Sequence, residues 1–364
     1  MTQISQNLIV GKREDVTENM LLLSPSETPM VDLLGYGEAV TQVEPTWFED
    51  EAYSDKTKAT AEAIVGASKV TVADGSVFEA NYVVKINDEL LLVTAVAGNE
   101  LTVTRGYAGT TAAAVADEDE VVFQFVEGKE GADARPARFK ARTRHTNFTQ
   151  IFDGTISISG TSAATSQHGI DDLYAYEKAK KEKEIALQLE KAVINGVKYE
   201  AANGLVRQMG GIKHFVQTNV FVKAGATIDG DTINDAFQAI AEKTGQNVGA
   251  GYKIIVSPKQ KRAISKMDVD KISLDRKDNG RGQVVDYFIG DFGEAEIVVN
   301  PNLSADEIFL IDSNRVKIRP LQGRTFTHEF LGKTGDYFTG MIVGEYTIEF
   351  HEEKAHARIK GLKK

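Results

Sequence analysis

The 364-residue chain contains no cysteine. That absence excludes disulfides, thiol catalysis and Cys-ligated zinc or iron–sulfur sites, and it suits a reducing compartment. Proline is scarce, at seven residues, and tryptophan occurs once, as Trp47. No stretch approaches the roughly 20 apolar residues that a membrane-spanning helix needs. The N-terminus, MTQISQNLIVGKRED, also lacks the basic segment and apolar run of a secretory leader. A soluble protein, made and kept in a cytosol and without a membrane partner, is therefore expected. Positive charge is short as well: 42 Lys and Arg stand against 53 Asp and Glu, a formal net charge of −11. Such a balance argues against broad binding to the phosphate backbone of nucleic acids. With 32 Gly and 42% hydrophobic residues, the composition is that of an ordinary globular protein. The length is enough for two or three domains without covalent staples.

Catalytic machinery is equally sparse. The six histidines, His145, His168, His214, His328, His351 and His356, never fall at metal-ligand spacing, and there is no Gly-x-Ser-x-Gly elbow to anchor a hydrolase triad. The loop 275–282 contains glycine but not the Gly-Lys-Ser/Thr of a phosphate loop. Asp268, Asp270 and Asp275 hint at calcium. An EF-hand starting at Asp268 would require Gly where Ser273 stands and Glu where Asn279 stands. No enzyme, metal or cofactor is expected.

Along the chain, residues 1–55 read as an arm with one short helix, for which Thr28 is the N-cap, Pro29 the first residue and Gly35 the stop. Residues 56–130 shift to short β-rich runs at 69–72, 82–86, 89–97, 100–105 and 120–126. Tight hairpins are expected at Asn87-Asp88 and Gly98-Asn99 and a loop tip at 110–114, the pattern of a small barrel or sandwich. Within 131–165, Arg138, Lys140, Arg142 and Arg144 alternate with uncharged residues, so a strand would carry four cations on one face. Together with 155–160 this segment reads as a two-stranded excursion.

Residues 171–196 then predict one long helix, capped by Asp171 or Asp172, with Ile185, Leu189, Ala192 and Val193 on one face and Gly196 as a left-handed stop. The pairs Glu177–Lys181 and Lys180–Glu184 mark its first half as solvated. Residues 207–212 read as a turn, and 232–320 as α/β. In that part Thr232 caps a helix that ends at Gly245, and a buried strand at 252–257 is followed by a helix starting at Ser257-Pro258. Further strands are expected at 294–299, 307–311 and 315–319. The chain closes with long alternating strands at 341–350 and 355–359.

The order of these parts resembles the major capsid proteins of tailed bacteriophages, the Hong Kong ninety-seven-type fold, and within it a family with an insertion near the N-terminal arm. The resemblance rests on Thr28-Pro29-Met30 with Trp47 soon after, residues 130–134, Gln150-Ile151-Phe152 leading to Ser159-Gly160-Thr161, and Glu190-x-x-Val193-x-x-Gly196. It continues through 207–212, Gly290-Asp291-Phe292-Gly293, Val298-Val299-Asn300-Pro301 and Leu310-Ile311-Asp312. It implies an α+β capsid fold with an arm (1–55), an all-β insertion domain (56–130) and an extended loop (131–165). A peripheral domain with the long spine helix (166–215 and 325–364) and an axial domain (216–324) complete it.

The function implied is self-assembly into hexamers and pentamers of an icosahedral head shell that encloses phage DNA without sequence-specific binding. Scaffold, portal and decoration proteins would be partners, the virion the final location and the host bacterial cytoplasm the site of assembly. Arg138, Lys140, Arg142, Arg144 and Trp47 become candidates for contacts between subunits. No long charged coiled coil precedes the arm, so no built-in scaffolding segment is expected. Some relatives join subunits by a Lys–Asn isopeptide bond. Here Lys129 and Lys140 lie near the expected extended loop and Asn300 in the other half. A tail-tube or baseplate component is the alternative reading, though it gives no reason for the α/β part.

Overall fold

The computed structural model describes residues 28–131, 134–135, 137–165, 170, 172–245, 248–249, 251–267, 287–333 and 335–364. Residues 1–27 of the expected arm, the loop 275–282, Asp268, Asp270, Asp275, His168 and Asp171 lie outside them. The described residues form two compact units, one of those up to Trp47 and from His145 onward, the other of those within Phe48–Arg144. Two short strands that pair with each other, Thr46–Glu49 and Thr143–Thr146, stand where the chain passes from one unit to the other.

In the larger unit the spine helix runs Leu173–Asn195. Asp172 caps it by accepting from the backbone N–H groups of Tyr174 and Ala175 at 2.9 and 3.1 Å. Ile185, Leu189, Val193 and Ile194 are fully buried, each contributing about 1.5–3 kcal/mol of apolar burial. The charged first half carries the i,i+3 pairs Glu177–Lys180 at 3.8 Å and Lys181–Glu184 at 2.5 Å and the i,i+4 pair Lys178–Glu182 at 3.8 Å, not the expected Glu177–Lys181 and Lys180–Glu184. Gly196 ends the helix, but not in the left-handed region: its φ is −53°. Close approach is what requires glycine there. A Cβ on Gly196 would lie 2.5 Å from the carbonyl oxygens of Ala192 and Met209, and one on Gly211 would lie 2.6 Å from that of Ala192. The expected turn at 207–212 is thus a hairpin strand, Arg207–Gln208 paired with Tyr199–Glu200, followed by the short helix Ile212–Phe215 pressed against the end of the spine.

Beneath the spine lies a four-stranded sheet built on the long strand Tyr337–Phe350. Gln150–Ser159 pairs with it antiparallel over ten residues, from Tyr337↔Ser159 to Tyr346↔Gln150, and Thr327–Phe330 and Val316–Pro320 take its other edge. This corrects the two-stranded excursion read over 131–165. Phe152, Ile156 and Ile158 alternate at period two and are buried in the core shared with the spine helix, so burial draws residues 150–159 into the main sheet. The end of the arm is also part of this unit. Met30, Val31 and Leu34 of the helix Pro29–Leu34 are buried in the same core, and residues 35–40 run beside Val316–Pro320 through bridges Tyr36↔Ile318 and Val40↔Leu321.

A six-stranded mixed sheet completes the unit, in the order Val220–Val222, Ala357–Lys360, Glu307–Asp312, Tyr252–Val256, Gly293–Val299, Tyr287–Gly290. Glu307–Asp312, in its middle, is buried at every position. Ile254, Val256, Ile308, Leu310 and Ile359 pack in one cluster with Ile233, Phe237 and Ile240 of the helix Gly230–Thr244 and Ile264 of the helix Pro258–Ile264, while Ile255, Phe309 and Ile311 join the core of the spine. The cap of Gly230–Thr244 is Asp229, whose carboxylate accepts from the Thr232 N–H at 2.8 Å. Thr232 itself lies inside the first turn, where its hydroxyl also reaches Asp229.

The Phe48–Arg144 unit holds a six-stranded antiparallel sheet, ordered Lys56–Lys58, Glu120–Val126, Tyr82–Ile86, Glu89–Ala97, Glu100–Thr104, Lys69–Thr71. The sequence anticipates five of these strands and misses Lys56–Lys58, whose three polar residues carry no apolar signal. Both hairpins form where expected, with Asn87 and Gly98 in the left-handed region at φ 53° and 60°.

Candidate assembly surfaces and their anchors

A capsid-type function would be carried by surfaces and by the groups that hold them, and the most deeply set of these groups is Glu190. It sits on the apolar stripe of the spine helix and is fully buried. Its carboxylate accepts from the N–H groups of Met30 at 3.0 Å and Val31 at 2.9 Å and from Nδ2 of Asn300 at 2.5 Å. Thr28 gives the helix Pro29–Leu34 no side-chain cap, so Glu190 takes that place from 160 residues away. Burial pushes its carboxyl above the usual range, although the three N–H donors pull the other way. One side chain thereby ties arm helix, spine and the turn after Gly293–Val299. Asn300 is buried with its amide engaged, which leaves it no face for a lysine of another copy.

A second buried carboxylate, Glu345 on the long strand, accepts from the Thr149 hydroxyl at 2.6 Å and pairs with Arg324 at 2.9 Å and Arg207 at 3.4 Å. It fixes the hairpin that carries Leu205 and Val206, exposed by 79% and 51%.

Trp47 is 5% exposed. Its ring stacks on His145 at 6.2 Å and meets Phe215 and His351 at 6.0 Å each. Phe215 stacks on Phe350 at 5.2 Å, and Phe350 meets the tilted ring of His356 at 4.4 Å. Four of the six histidines of the chain thus border one aromatic cluster, His214 lying against Phe215. Burial, and then Lys198, lower the pKa of His214. His356 is fully buried, with Nδ1 accepting from the Asp312 N–H at 3.2 Å and Nε2 facing the His351 carbonyl at 3.1 Å, so it is neutral and protonated at Nε2. Burial brings its pKa down to about 4. Because the unfolded chain binds this proton near pH 6.5 and the folded one does not, the stability His356 contributes is complete above pH 6.5 and is lost as pH falls toward 4. The full span is worth roughly 3 kcal/mol. Chemical unfolding of the unassembled subunit should show stability falling between pH 6.5 and 5, and His356→Gln should reduce that slope, leaving the smaller part due to His214. An unchanged slope in the variant would contradict the assignment.

The cationic strip lies within the Phe48–Arg144 unit and is not one strand: only Thr143–Thr146 is extended, so Arg138, Lys140 and Arg142 precede it in a loop. Each has a partner in the same unit. Arg138 lies over the Tyr53 ring at 3.5 Å and pairs with Glu79 at 3.5 Å, Lys140 pairs with Glu51 at 3.2 Å and Arg142 with Asp50 at 3.4 Å. Arg144, on the strand, is also engaged. The interior of this unit holds a pair the sequence gives no sign of. Arg105 forms two bonds to the buried Glu89, at 2.8 and 2.6 Å, and donates to the carbonyls of Ile64, Ala67 and Ala113. Glu89 also accepts from Gly106 and Ala113 at 2.9 and 3.0 Å. Burial alone would raise the Glu89 pKa, but Arg105 and the two N–H groups outweigh it and hold it below the usual range. Among the described residues, no group of three or more His, Asp and Glu is placed to hold a metal ion, and no helix is long and apolar enough to cross a membrane.

Solved structures with the same fold cover almost the whole chain. A structure of Mycobacterium phage Bobi aligns with 99% of this chain and 99% of its own at TM-score 0.52 and 12% identity. One of Microbacterium phage Oxtober96 aligns over 97% and 96%, at TM-score 0.51 and 12% identity. The capsid of an empty GTA particle aligns over 98% and 96%, at TM-score 0.51 and 11% identity. No curated protein matches in sequence. The architecture is therefore the α+β Hong Kong ninety-seven-type capsid fold with a spine helix and a small β insertion. The model of one protein family, the SU10 major capsid protein, matches residues 2–363. With that match spanning the spine, both sheets and the insertion, the chain belongs to the SU10 major capsid protein family.

Proposed function

We propose that copies of this major capsid protein assemble as hexamers and pentamers into an icosahedral head shell that encloses phage DNA without sequence-specific contacts. The family match over residues 2–363 carries this reading. In it, residues 1–55 serve as the arm, 56–130 as the insertion domain, 131–165 as the extended loop with Gln150–Ser159 anchored in the long sheet, 166–215 with 325–364 as the peripheral domain and 216–324 as the axial domain. Scaffold, portal and decoration proteins are the partners, and assembly takes place in the cytoplasm of the host bacterium. Large apolar side chains left exposed in the single chain support a life among neighbours, among them Phe139, Ile64 and Phe330 at 84%, 79% and 69%. Arg138, Lys140, Arg142 and Arg144 contribute to contacts between copies in this reading. Trp47 acts indirectly, by fixing the strand Thr46–Glu49 on which Phe48 is 65% exposed.

Electron microscopy of the purified protein tests the proposal. Closed particles with five- and six-fold capsomers are expected. Stacked rings or tubes would point instead to a tail component, and a compact monomer that persists at high concentration would reject assembly altogether.

A further inference from the structure

A concavity of about 550 Å³ lies beside the six-stranded sheet, between the helix Pro258–Ile264 and the end of the chain. Lys259, Arg262, Lys266, Lys363 and Lys364 line it above a floor of Ile228, Ala263 and Met267. The first three stand three and four residues apart, one behind the other along the helix and the turn that follows it. All five cations are exposed. The walls are fixed, because buried Gln260 donates to the carbonyls of Ala305 at 2.6 Å and Lys363 at 3.1 Å, and the Lys363 N–H donates to Ala226 at 2.9 Å. Only Lys364 meets a carboxylate among the described residues, Asp306 at 3.6 Å. Like charges held together at a concave surface repel one another and focus a positive field into it. In a chain with eleven more acidic than basic residues, such a cluster is suited to receiving an anion.

The same sheet presents that anion at the other end of its strands: the helix Pro258–Ile264 starts beyond the C-terminal end of Tyr252–Val256, whereas the acids lie at the N-terminal end of Gly293–Val299, which runs parallel to it. The turn between Tyr287–Gly290 and Gly293–Val299 carries Asp291 and, just after it, Glu294. Both are exposed and neither has a partner among the described residues. Four strand spacings, about 19 Å, separate Tyr287–Gly290 from Ala357–Lys360, the strand that leads into Lys363 and Lys364. We propose that the basic pocket of one copy receives Asp291 and Glu294 of a second copy, a head-to-tail contact of the kind that closes rings. Nucleic acid is the less favoured occupant, since a subunit of charge −11 repels phosphates at long range.

This inference rests on the assembly reading above, and a charge-swap experiment on the full chain separates the two. Lys259→Glu with Lys266→Glu, and Asp291→Lys with Glu294→Lys, alter exposed side chains, so each variant should keep the thermal midpoint of the unassembled wild type. Each pair alone should raise the protein concentration needed for assembly about tenfold, equivalent to about 1.4 kcal/mol per contact, and should lessen its sensitivity to salt. The four substitutions combined should restore assembly. Carbodiimide coupling of wild-type particles, followed by mass spectrometry, should join Lys259, Lys266, Lys363 or Lys364 to Asp291 or Glu294 of another copy.

If wild-type protein never assembles, the assembly reading itself fails. If it assembles but the swaps leave assembly unchanged, or coupling joins the pocket to other acids, the head-to-tail contact is wrong. Variants that form normal shells but lose retained DNA would make the pocket a nucleic-acid contact and overturn the proposal.

Discussion

Arg105→Ala is expected to cost the Phe48–Arg144 unit about 3–5 kcal/mol, because it leaves the Glu89 carboxylate buried without its counter-charge. A domain of this size has about 5–15 kcal/mol in all, so the variant should lie at the edge of unfolding. The guanidinium does more than neutralise Glu89. Its bonds to Ile64, Ala67 and Ala113 hold two loops against the ends of Glu89–Ala97 and Glu100–Thr104. Limited proteolysis should therefore cut first within residues 60–70 and 106–115. Trp47 lies in the other unit, and its fluorescence transition should stay near that of wild type. Arg105→Met combined with Glu89→Leu should recover most of the loss, since an apolar pair of similar volume replaces a buried ion pair at little cost. A single variant as stable as wild type would show that the pair is solvated in solution.

Glu190→Ala should release the arm helix. Three N–H donors, from Met30, Val31 and Asn300, would lose their acceptor in a region closed to water. At about 1 kcal/mol or more for each unsatisfied group, the subunit should lose roughly 3 kcal/mol, and residues 28–40 should become cleavable by protease. Glu190→Gln keeps one acceptor but turns an amide N–H₂ toward the same donors, so it should fall between the two. Shell formation should suffer more than folding, because residues 28–34 lead directly out of the arm. A subunit that keeps both its stability and its protection at 28–40 would remove Glu190 from this role.

Glu190 also illustrates how much was legible before the structure. Its position could have been suspected: it stands four residues after Ala186 and three and four before Val193 and Ile194, on the stripe that packs into the core, where a carboxylate must find partners. Who those partners are could not be read, since Met30 and Asn300 are more than 100 residues away in opposite directions. Glu345 likewise pairs with Arg207, 138 residues before it. The alternating Arg138, Lys140, Arg142 and Arg144 show the converse. Period two is necessary for a strand, but it does not create one, and acids at Asp50, Glu51 and Glu79 hold the first three in a loop.

Local chemistry by itself determined the spine helix, both hairpin turns of the insertion, the buried strand at 252–256 and the order of parts that resembles the capsid fold. In each case capping, glycine conformation and apolar spacing act over a few residues. Only the tertiary structure decided that Gln150–Ser159 joins the long sheet, that Gly196 is needed for close packing, and that a basic pocket and an acidic turn occupy opposite ends of the strands of one sheet. Those features depend on which distant surfaces meet. Hydrogen bonding and burial settle that choice over the whole chain at once, and the sequence pattern of any one segment does not contain it.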